Sequence, residues 1–486
     1  MTRSGKPWLA ALLAAGSVLA AGGFSGAKPT AAGGWAKAHF IGGVVKPGQA
    51  MVTMISCFSP GNCAAAGTFT GPEDKLFVIT QVRGQWGKPV LIPSTIRTAR
   101  PGATPGGVAC FSTGNCVLTG SYTDAAGHSQ AFIANQKGGT WRTVFWVPGL
   151  AKLDRGHGAG LTYLACPSAG NCTAVGSYTD ASHVSRPFVV TEVHGSWRLA
   201  KPVPHLSGLP GQLPGSTFGF GTISCALPGN CSAGGSYSIS GGSTGFVDDE
   251  VNGVWGKPEA VPGLAALNVG LAAAVTAISC SAPGDCGAGG DYTETEGNSN
   301  SFVINETNGH WGQVTEVTSA IPFFDGPDGD FLASISCPSG GYCAAGGTDQ
   351  VEHDALAAEV YIVTETHGKW SKAIALPGST QLNQGDQGSL SQIDCSSAGN
   401  CGVAGAYSAA QDFGFQYTQP FVATEAHGKW SKAIGVPGIK VQPVNGTGQV
   451  GATTAISCTA PDRCSAGGWI SSDGLNHNHA FVDSQP

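Results

Sequence analysis

Charged side chains are scarce in this chain. Asp, Glu, Lys and Arg together make up 11% of its 486 residues, and the formal net charge is -7. No cluster of Lys and Arg stands out along the sequence. Because nucleic-acid-binding proteins neutralise phosphates with clustered basic side chains, this composition argues against a nucleic-acid partner.

Common catalytic motifs are also missing. The sequence has no H-E-x-x-H zinc motif and no nucleophile elbow, in which a Ser-centred G-x-S-x-G turn joins a strand to a helix. Several of the few carboxylates recur at one position ahead of a G-x-W motif, which indicates a role in a turn or at a strand edge. These residues are Glu192, Glu250, Glu306, Glu365 and Glu425. Whether the chain is an enzyme stays open, and the balance of these observations is against it.

Long apolar runs are absent beyond the N-terminus, so no membrane-spanning helix of about 20 residues is expected in the mature protein. The N-terminus has the pattern of a secretory signal, because Arg3 and Lys6 precede a short apolar run from Trp8 to Ala21. A retained membrane anchor is the alternative, and the shortness of the run disfavours it.

The end of this signal is marked by small residues. They suit cleavage after Ala20 or after Ala27. We therefore expect residues 1–27 to be a signal peptide and residues 28–486 to form the mature, extracellular protein. No cysteine precedes Cys57, so lipid attachment at an N-terminal cysteine is excluded.

The 16 cysteines form eight pairs, and the two members of each pair are six positions apart. An even number at fixed spacing in an exported chain predicts disulfides. Zinc and redox pairs usually have shorter spacings, which disfavours those alternatives. The expected bridges are Cys57–Cys63, Cys110–Cys116, Cys166–Cys172, Cys225–Cys231, Cys280–Cys286, Cys337–Cys343, Cys395–Cys401 and Cys458–Cys464.

Each cysteine pair opens a unit that is repeated eight times. Each copy begins with a strand ending in I-S-C. A turn, a second strand and an aromatic third strand follow, and all copies but the last then have a G-x-W strand. The first cysteines of successive copies are 53 to 63 residues apart. Four short strands in a unit of this length are typical of a propeller blade. The sequence thus predicts an all-β fold, a single-domain eight-bladed β-propeller with four-stranded antiparallel blades.

The ends of the chain predict how the ring closes. The last copy stops after its third strand, near Phe481, and lacks a G-x-W strand. A matching segment occurs at the other end of the chain, around Trp35. We expect this N-terminal strand to complete the last blade, giving a closure of one strand plus three that protects the sheet edges.

Two recurring glycines have predicted roles. Asn252-Gly253 and Asn308-Gly309 suit two-residue type I′ hairpins, which need positive φ. Gly67 and its counterparts lie inside the second strand, where glycine marks a bulge or a close approach. We expect a Trp or Phe of a neighbouring sheet to lie against this glycine.

Function in repeat scaffolds usually lies on the face with variable loops. The longest such loops occur in the later copies and are rich in aromatic and acidic residues, although a solvated, tolerant rim is the alternative. The candidate ligand-binding residues are Phe323, Phe324, Asp325, Asp328, Asp330, Glu352, His353, Asp412, Phe413, Phe415, Tyr417 and His477.

Metal binding has two weak candidates. Asp325, Asp328 and Asp330 offer oxygen ligands for Ca²⁺, but their spacing is not that of an EF-hand, and a flexible acidic loop is the alternative. His477 and His479 alternate along a strand and face one side, either as a metal pair or as surface residues. Apart from Ca²⁺, no cofactor is expected.

The eight units resemble the Cys-containing β-propeller repeats of secreted bacterial proteins. The resemblance covers nearly the whole mature chain and rests on I-S-C-x5-C and G-x-W. A fainter similarity is to the Asp-box repeats of sialidase-type propellers, whose hairpins end in G-x-x-W. Here the Asp-box Ser and Asp are absent and the Gly-to-Trp spacing is one residue shorter.

These patterns lead to two functional hypotheses. The first is a monomeric, secreted scaffold that binds a glycan, cell-wall material or a protein through its variable loops. The alternative, implied by the sialidase-type similarity, is a glycan-cleaving hydrolase or lyase with its site at the channel mouth. Such an enzyme needs two carboxylates, or a carboxylate with a Tyr or His, close together. A purely structural surface protein is a third possibility.

Overall fold

Eight antiparallel sheets follow one another around a ring. In each sheet the strands lie in the order first, second, third, fourth. The first strands of neighbouring sheets contact one another around the whole circle, including those of the last and the first sheet. The first strands therefore surround the centre, and the predicted eight-bladed β-propeller is confirmed.

The structure is a computed structural model that describes residues 34–42, 49–70, 75–92, 102–142, 144–294, 298–318, 329–350, 358–385, 387–412, 415–439, 450–471 and 477–485. Strand β1 (His39–Phe40) precedes blade 1, which contains β2 (Gln49–Ser59), β3 (Asn62–Thr70), β4 (Lys75–Val82), β5 (Gln85–Trp86) and β6 (Val90–Ile92). Blade 2 contains β7 (Thr104–Ser112), β8 (Asn115–Thr123), β9 (Ser129–Lys137), β10 (Thr140–Trp141) and β11 (Phe145–Trp146). Blade 3 contains β12 (Gly160–Ser168), β13 (Asn171–Thr179), β14 (Ser185–Val193), β15 (Ser196–Trp197) and β16 (Lys201–Pro202). Blade 4 contains β17 (Phe218–Leu227), β18 (Asn230–Ile239), β19 (Gly242–Val251), β20 (Val254–Trp255) and β21 (Glu259–Ala260).

The remaining blades have the same order. Blade 5 contains β22 (Ala274–Ala282), β23 (Asp285–Thr293), β24 (Ser299–Thr307), β25 (His310–Trp311) and β26 (Thr315–Glu316). Blade 6 contains β27 (Asp330–Ser339), β28 (Tyr342–Gln350), β29 (Ala358–Thr366), β30 (Lys369–Trp370) and β31 (Ile374–Ala375). Blade 7 contains β32 (Ser389–Ser397), β33 (Asn400–Asp412), β34 (Phe415–Ala426), β35 (Lys429–Trp430) and β36 (Ile434–Gly435). Blade 8 contains β37 (Val450–Ala460), β38 (Arg463–Ser471) and β39 (Asn478–Ser484).

Among the described residues, helical structure is confined to short segments between blades. They are a 3-10 turn at Leu150–Lys152, α1 (Leu264–Leu267) and α2 (Ser379–Leu382). In the part of the chain that the structure describes, no helix is long and apolar enough to cross a membrane.

The fourth strand of most blades consists of two pieces. In blade 1, Trp86 pairs with Gln81 near the end of β4, and Leu91 pairs with Phe77 further back. Between the pieces, the Gly87 amide donates to the Thr80 carbonyl at 2.9 Å. The G-x-W motif therefore starts the outer strand as predicted, and a short irregular segment then interrupts it.

Ring closure occurs in blade 8. His39 and Phe40 pair antiparallel with Val482 and Phe481, so β1 is the outer strand of a sheet whose other strands come from the C-terminus. Trp35, just ahead of β1, is buried in the core between blades 7 and 8. The predicted closure of one strand plus three is confirmed.

All eight predicted disulfides are present, and each joins the first two strands of its own blade. In blade 1, Cys57 lies directly opposite Cys63 in the antiparallel pair, and their Cα atoms are 4.0 Å apart. Closing such a small loop contributes about 2 kcal/mol in the chain-entropy treatment. The disulfides therefore stabilise each blade separately.

The Ser of the I-S-C motif joins each blade to the next. The amide of Cys110 in blade 2 donates to Ser56 Oγ of blade 1 at 3.0 Å. The same contact occurs from Cys280 to Ser224, Cys337 to Ser279, Cys395 to Ser336 and Cys57 to Ser457, and Asp394 replaces the serine for Cys458. Alanine precedes the cysteine in blades 2 and 3, so Ala109 and Ala165 offer no side-chain acceptor to the following blades.

Gly67 lies where three strands of one blade crowd together. The first strand has a bulge between Val52 and Met54, opposite this glycine. A Cβ at Gly67 would collide with the Met51 carbonyl and lie 2.7 Å from the Phe77 ring. The predicted close approach is therefore present. The prediction that a neighbouring sheet supplies the contacting aromatic ring is wrong, because Phe77 and the Met51 carbonyl belong to the same blade as Gly67.

In blades 1 to 7, two turns lie side by side and define one face of the ring. The Gly84 amide of the G-x-W turn donates to the Gly61 carbonyl of the cysteine turn at 2.8 Å. Asn252 and Gly253 have φ of 53° and 81°, as the predicted type I′ turn requires. We call the face that carries these turns the hairpin face. The opposite face, with the second-to-third-strand loops and the blade connections, is the loop face.

Candidate functional site

Most predicted ligand-binding residues lie outside the described part of the chain. They are Phe323, Phe324, Asp325, Asp328, Glu352, His353 and Phe413. The Ca²⁺ hypothesis for Asp325 and Asp328 is therefore untested. Among the described residues, no group of three or more His, Cys, Asp or Glu is arranged to hold a metal ion.

Four other predicted residues can be placed at least in part. Asp412 and Phe415 pair with each other at the end of a hairpin that extends β33 and β34, and the backbone of Tyr417 belongs to the same hairpin. The side chains of these three residues lie outside the description. His477 is exposed immediately ahead of β39.

Asp330 is the predicted residue that the structure places best. It is the first residue of β27, at the loop face, and it lies directly opposite Asp349 of β28. Both carboxylates are buried, with 5% and 3% of their surface exposed. Like charges directly opposite each other destabilise a sheet. A pair of buried aspartates is therefore an unusual choice at this position of a blade.

Blade 6 departs from the repeat around these aspartates. At the position of Asp349, blades 2 to 5 have a tyrosine, for example Tyr122, which packs against Phe132 with ring centroids 6.4 Å apart. At the position of Phe132, blade 6 has Tyr361, whereas the other blades have phenylalanine. Blade 6 thus replaces an aromatic pair of the core with an aspartate and a buried phenol.

Blade 5 adds a third carboxylate to this group. Asp291 Oδ1 accepts the Leu332 amide of blade 6 at 2.7 Å and the Ser301 hydroxyl at 3.2 Å. Burial raises the pKa of Asp291 to about 6, although both hydrogen bonds oppose the shift. We call Asp291, Asp330, Asp349 and Tyr361 the loop-face polar cluster.

The environment of Tyr361 determines its chemistry. Burial raises the pKa of its phenol well above the usual value, a hydrogen bond with Ser301 opposes this, and Asp330, Asp291 and Asp349 raise the pKa further. Tyr361 therefore stays protonated at physiological pH. It can donate a hydrogen bond, but it cannot act as a phenolate nucleophile.

Two described cavities open elsewhere, on the hairpin face. One of about 550 Å³ lies between blades 3 and 4, and one of about 240 Å³ lies between blades 4 and 5. Recurring glutamates line both, including Glu192, Glu250 and Glu306. A turn role holds for Glu365, whose Oε1 accepts the Gly368 amide at 2.7 Å. All five recurring glutamates are buried on the third strand of their blades, which lies between two other strands. The prediction of a position at a strand edge is therefore wrong.

A Ser-centred sequence in blade 4 matches the letters of a nucleophile elbow. Residues 241–245 read Gly-Gly-Ser-Thr-Gly, but they connect β18 to β19 in a hairpin. An elbow requires a turn from a strand into a helix. Ser243 therefore does not have the geometry of such a nucleophile.

The comparisons with known proteins concern the fold. No protein-family model matches the sequence, and no curated protein matches it. YCF48 from Cyanidioschyzon merolae is similar in structure, with a TM-score of 0.42, 10% identity, and coverage of 93% of this chain and 99% of that chain. The C-terminal WD40 domain of Sif2 has a TM-score of 0.40, 10% identity, and coverage of 93% and 99%. The Hadza microbial sialidase Hz136 has a TM-score of 0.37, 10% identity, and coverage of 69% and 71%.

Proposed function

We propose that this chain is a secreted binding scaffold that holds a glycan, cell-wall material or a protein at the loop face of blades 5 and 6. The observation that carries the proposal is the loop-face polar cluster. The other recurring positions have structural contacts, such as the disulfides, the Ser–Cys bonds between blades and the buried phenylalanines. Buried polar groups that break such a repeat are typical of functional sites.

The position of the cluster supports this role. Asp330 follows residues 319–328, and Asp349 precedes residues 351–357, which together contain six of the predicted ligand-binding residues. Carboxylates and one phenol provide several acceptors and a donor for a hydroxyl-rich or cationic ligand. The cluster is therefore next in sequence to both predicted ligand-binding segments and would add its acceptors and its donor to a site that they form.

Secretion belongs to the same proposal. Residues 1–27 act as the signal peptide and residues 28–486 are the exported protein. Eight disulfides within one chain fit an oxidising compartment, where such bonds form and persist.

A glycan-active enzyme is the second candidate, and one observation favours it. Three carboxylates and a tyrosine lie in one cluster, which is the kind of set that glycoside cleavage uses. Against this, Tyr361 has no exposed surface and its pKa is raised, so it is not a nucleophile. Binding is therefore the first choice.

The test uses a variant that removes the cluster and restores the repeat. Asp349→Tyr combined with Tyr361→Phe gives blade 6 the aromatic pair of the other blades, so the fold is expected to persist. Tyr122→Phe in blade 2 is the matched control, because it removes a buried phenol at the position equivalent to Asp349. Binding of the mature protein to arrayed glycans, purified cell-wall polymer and extracellular proteins is measured for all three forms.

We expect at least one ligand class to bind the wild type and the control, and the double variant to bind about 10-fold more weakly or worse. Equal binding by the double variant would contradict the assignment to this cluster. Product release from a bound glycan, abolished by Asp330→Asn, would favour the enzyme.

A further inference from the structure

The cleft between blades 4 and 5 on the hairpin face is lined by three carboxylates. Asp249, Glu250 and Glu306 surround a volume of about 240 Å³. No Lys, Arg or His is among the described residues that line it. This cleft lies on the opposite face from the loop-face polar cluster, so it is independent of the proposed function.

Three carboxylate oxygens of this cleft have no hydrogen-bond donor. Glu250 and Glu306 are each 4% exposed, and the Oε2 atom of each has no hydrogen-bond partner. Asp249 Oδ2 accepts the Trp311 indole N–H at 3.0 Å, while its Oδ1 has no partner. Buried acceptors without donors are costly, so a donor from outside would stabilise this cleft.

In blades 1 and 2, the residue equivalent to Glu306 has a hydrogen-bond partner in the preceding blade. Blades 1 and 2 have glutamine there. Gln81 Nε2 donates to Ser484 Oγ of the preceding blade at 3.1 Å, and Gln136 Nε2 donates to Thr80 Oγ1 at 2.9 Å. Blade 5 has Glu306 in place of glutamine, and its preceding blade has an aspartate in place of the hydroxyl residue. Acceptors therefore face acceptors across this seam.

The charges around Glu306 intensify this mismatch. Burial raises its pKa to about 8, and Asp249, Asp285 and Glu259 add to the shift, while a hydrogen bond with Ser232 opposes it. Burial also raises the pKa of Glu250 to about 7, and Lys201 opposes that shift. A cation in the cleft would reverse these shifts by favouring the ionised carboxylates.

The neighbouring cavity provides a contrast. The space of about 550 Å³ between blades 3 and 4 is lined by Glu192 and Glu250, but also by Arg198 and Lys201. Its carboxylates have basic neighbours, so it does not require an added cation. The cleft between blades 4 and 5 is the acidic one.

One exposed aliphatic side chain, Val251, lines the acidic cleft. Aliphatic chains that end in a charged group pack well on such a surface with the charge pointing into a polar pocket. The described residues contain no metal-binding group of three carboxylates, so the geometry suits an organic cation better than a metal ion.

We infer that the cleft between blades 4 and 5 binds a small organic cation, an alkylammonium group that is either a free diamine or the side chain of a lysine on a partner. The ammonium donates to Glu250, Glu306 and Asp249, and the aliphatic chain packs along Val251.

The test measures binding of 1,4-diaminobutane and of a short lysine peptide to the mature protein by titration calorimetry. Butane-1,4-diol, which has the same chain length without charge, is the control ligand. Glu306→Gln is the test variant, because glutamine is already present at this position in blades 1, 2 and 8. Glu365→Gln is the matched control in blade 6, away from the cleft.

We expect the wild type and Glu365→Gln to bind an ammonium ligand, and Glu306→Gln to bind it about 10-fold more weakly or not at all. The diol is expected not to bind. Affinity should rise between pH 6 and pH 9 as the carboxylates ionise, with proton release on binding.

Tighter binding of the diamine would identify a free amine as the ligand, and tighter binding of the peptide would identify a partner's lysine. Absence of binding by the wild type to both ligands would overturn the inference. Equal binding by wild type and Glu306→Gln would overturn it too. Thermal unfolding of each variant establishes that the fold is intact.

Discussion

Replacing Asp248 with valine is expected to stabilise the propeller, and increasingly so as the pH rises. Asp248 lies on the third strand of blade 4, where other blades have Val190, Ile304 and Val363. Its surface is 1% exposed, and neither carboxylate oxygen has a hydrogen-bond partner. The blade therefore contains an acid at a position that the repeat fills with an aliphatic side chain.

The size of the effect follows from two contributions. Burying a valine side chain contributes about 1.5–3 kcal/mol, and removing an unpartnered polar group contributes about 1–3 kcal/mol. Near pH 4, where the Asp248 carboxyl is largely neutral in the folded chain, Asp248→Val should therefore raise the free energy of unfolding by about 3–5 kcal/mol.

Ionisation adds a dependence on pH. Burial raises the pKa of Asp248 from its ordinary value of 3.8 to about 8, and the adjacent Asp249 contributes to the rise. Between these values the folded chain keeps a proton that the unfolded chain releases. The wild type then loses up to about 1.4 kcal/mol of stability for each pH unit from about 4 to 8. The valine variant lacks this loss.

Urea unfolding of the oxidised protein at pH 4, 6 and 8 measures the effect. We expect the variant to be more stable at each pH and its advantage to grow with pH. A constant advantage would refute the raised pKa. A variant less stable than wild type at pH 8 would refute the whole account of Asp248 as a buried, uncompensated charge. Asp483, whose pKa burial raises to about 7 in blade 8, provides a second test.

Three further predictions concern the repeat itself. Ala165→Ser should give the Cys225 amide the side-chain acceptor found at six other seams and raise stability by about 1 kcal/mol, measured by urea unfolding, and a loss would contradict the role of the I-S-C serine. Gly67→Ala should lower stability by about 3 kcal/mol or more, because the new methyl collides with the Met51 carbonyl, and unchanged stability would show that the bulge relaxes freely. Trp35→Ala should lower the free energy of unfolding by about 3–5 kcal/mol and increase amide hydrogen exchange first in blade 8. An equal increase in all blades would argue against closure of the ring by the N-terminal segment.

The parts of the fold that repeat were predictable from the sequence. Eight copies act as an internal alignment, so Cys57, Phe77 and Trp86 each stand for a position with one structural reason. Ring closure was predictable as well, because the last copy lacks the strand that Trp35 supplies. The bulge opposite Gly67 was only half predicted, since the sequence shows that a close approach is needed but not which atoms make it.

The candidate site was predictable only in part. Asp330 was named because it follows an acidic loop, but Asp291, Asp349 and Tyr361 were not. The repeat does contain a signal for two of them, as Asp349 replaces an aromatic residue of blades 1 to 5 and 7, and Tyr361 replaces a phenylalanine of the seven other blades. Asp291 reaches the Leu332 amide across a blade seam, and such a contact depends on the register of two separate sheets, which one sequence does not specify.

The short span of every disulfide has a consequence for the biosynthesis of the protein. Sixteen cysteines can pair in about two million ways, yet each native partner is six residues along the chain. As the chain emerges from its N-terminus, each cysteine meets its own partner before the next pair appears. Correct oxidation thus requires no contact between distant parts of the chain. Cys57 and Cys63 can be joined long before the final strand arrives to complete the circle beside Trp35.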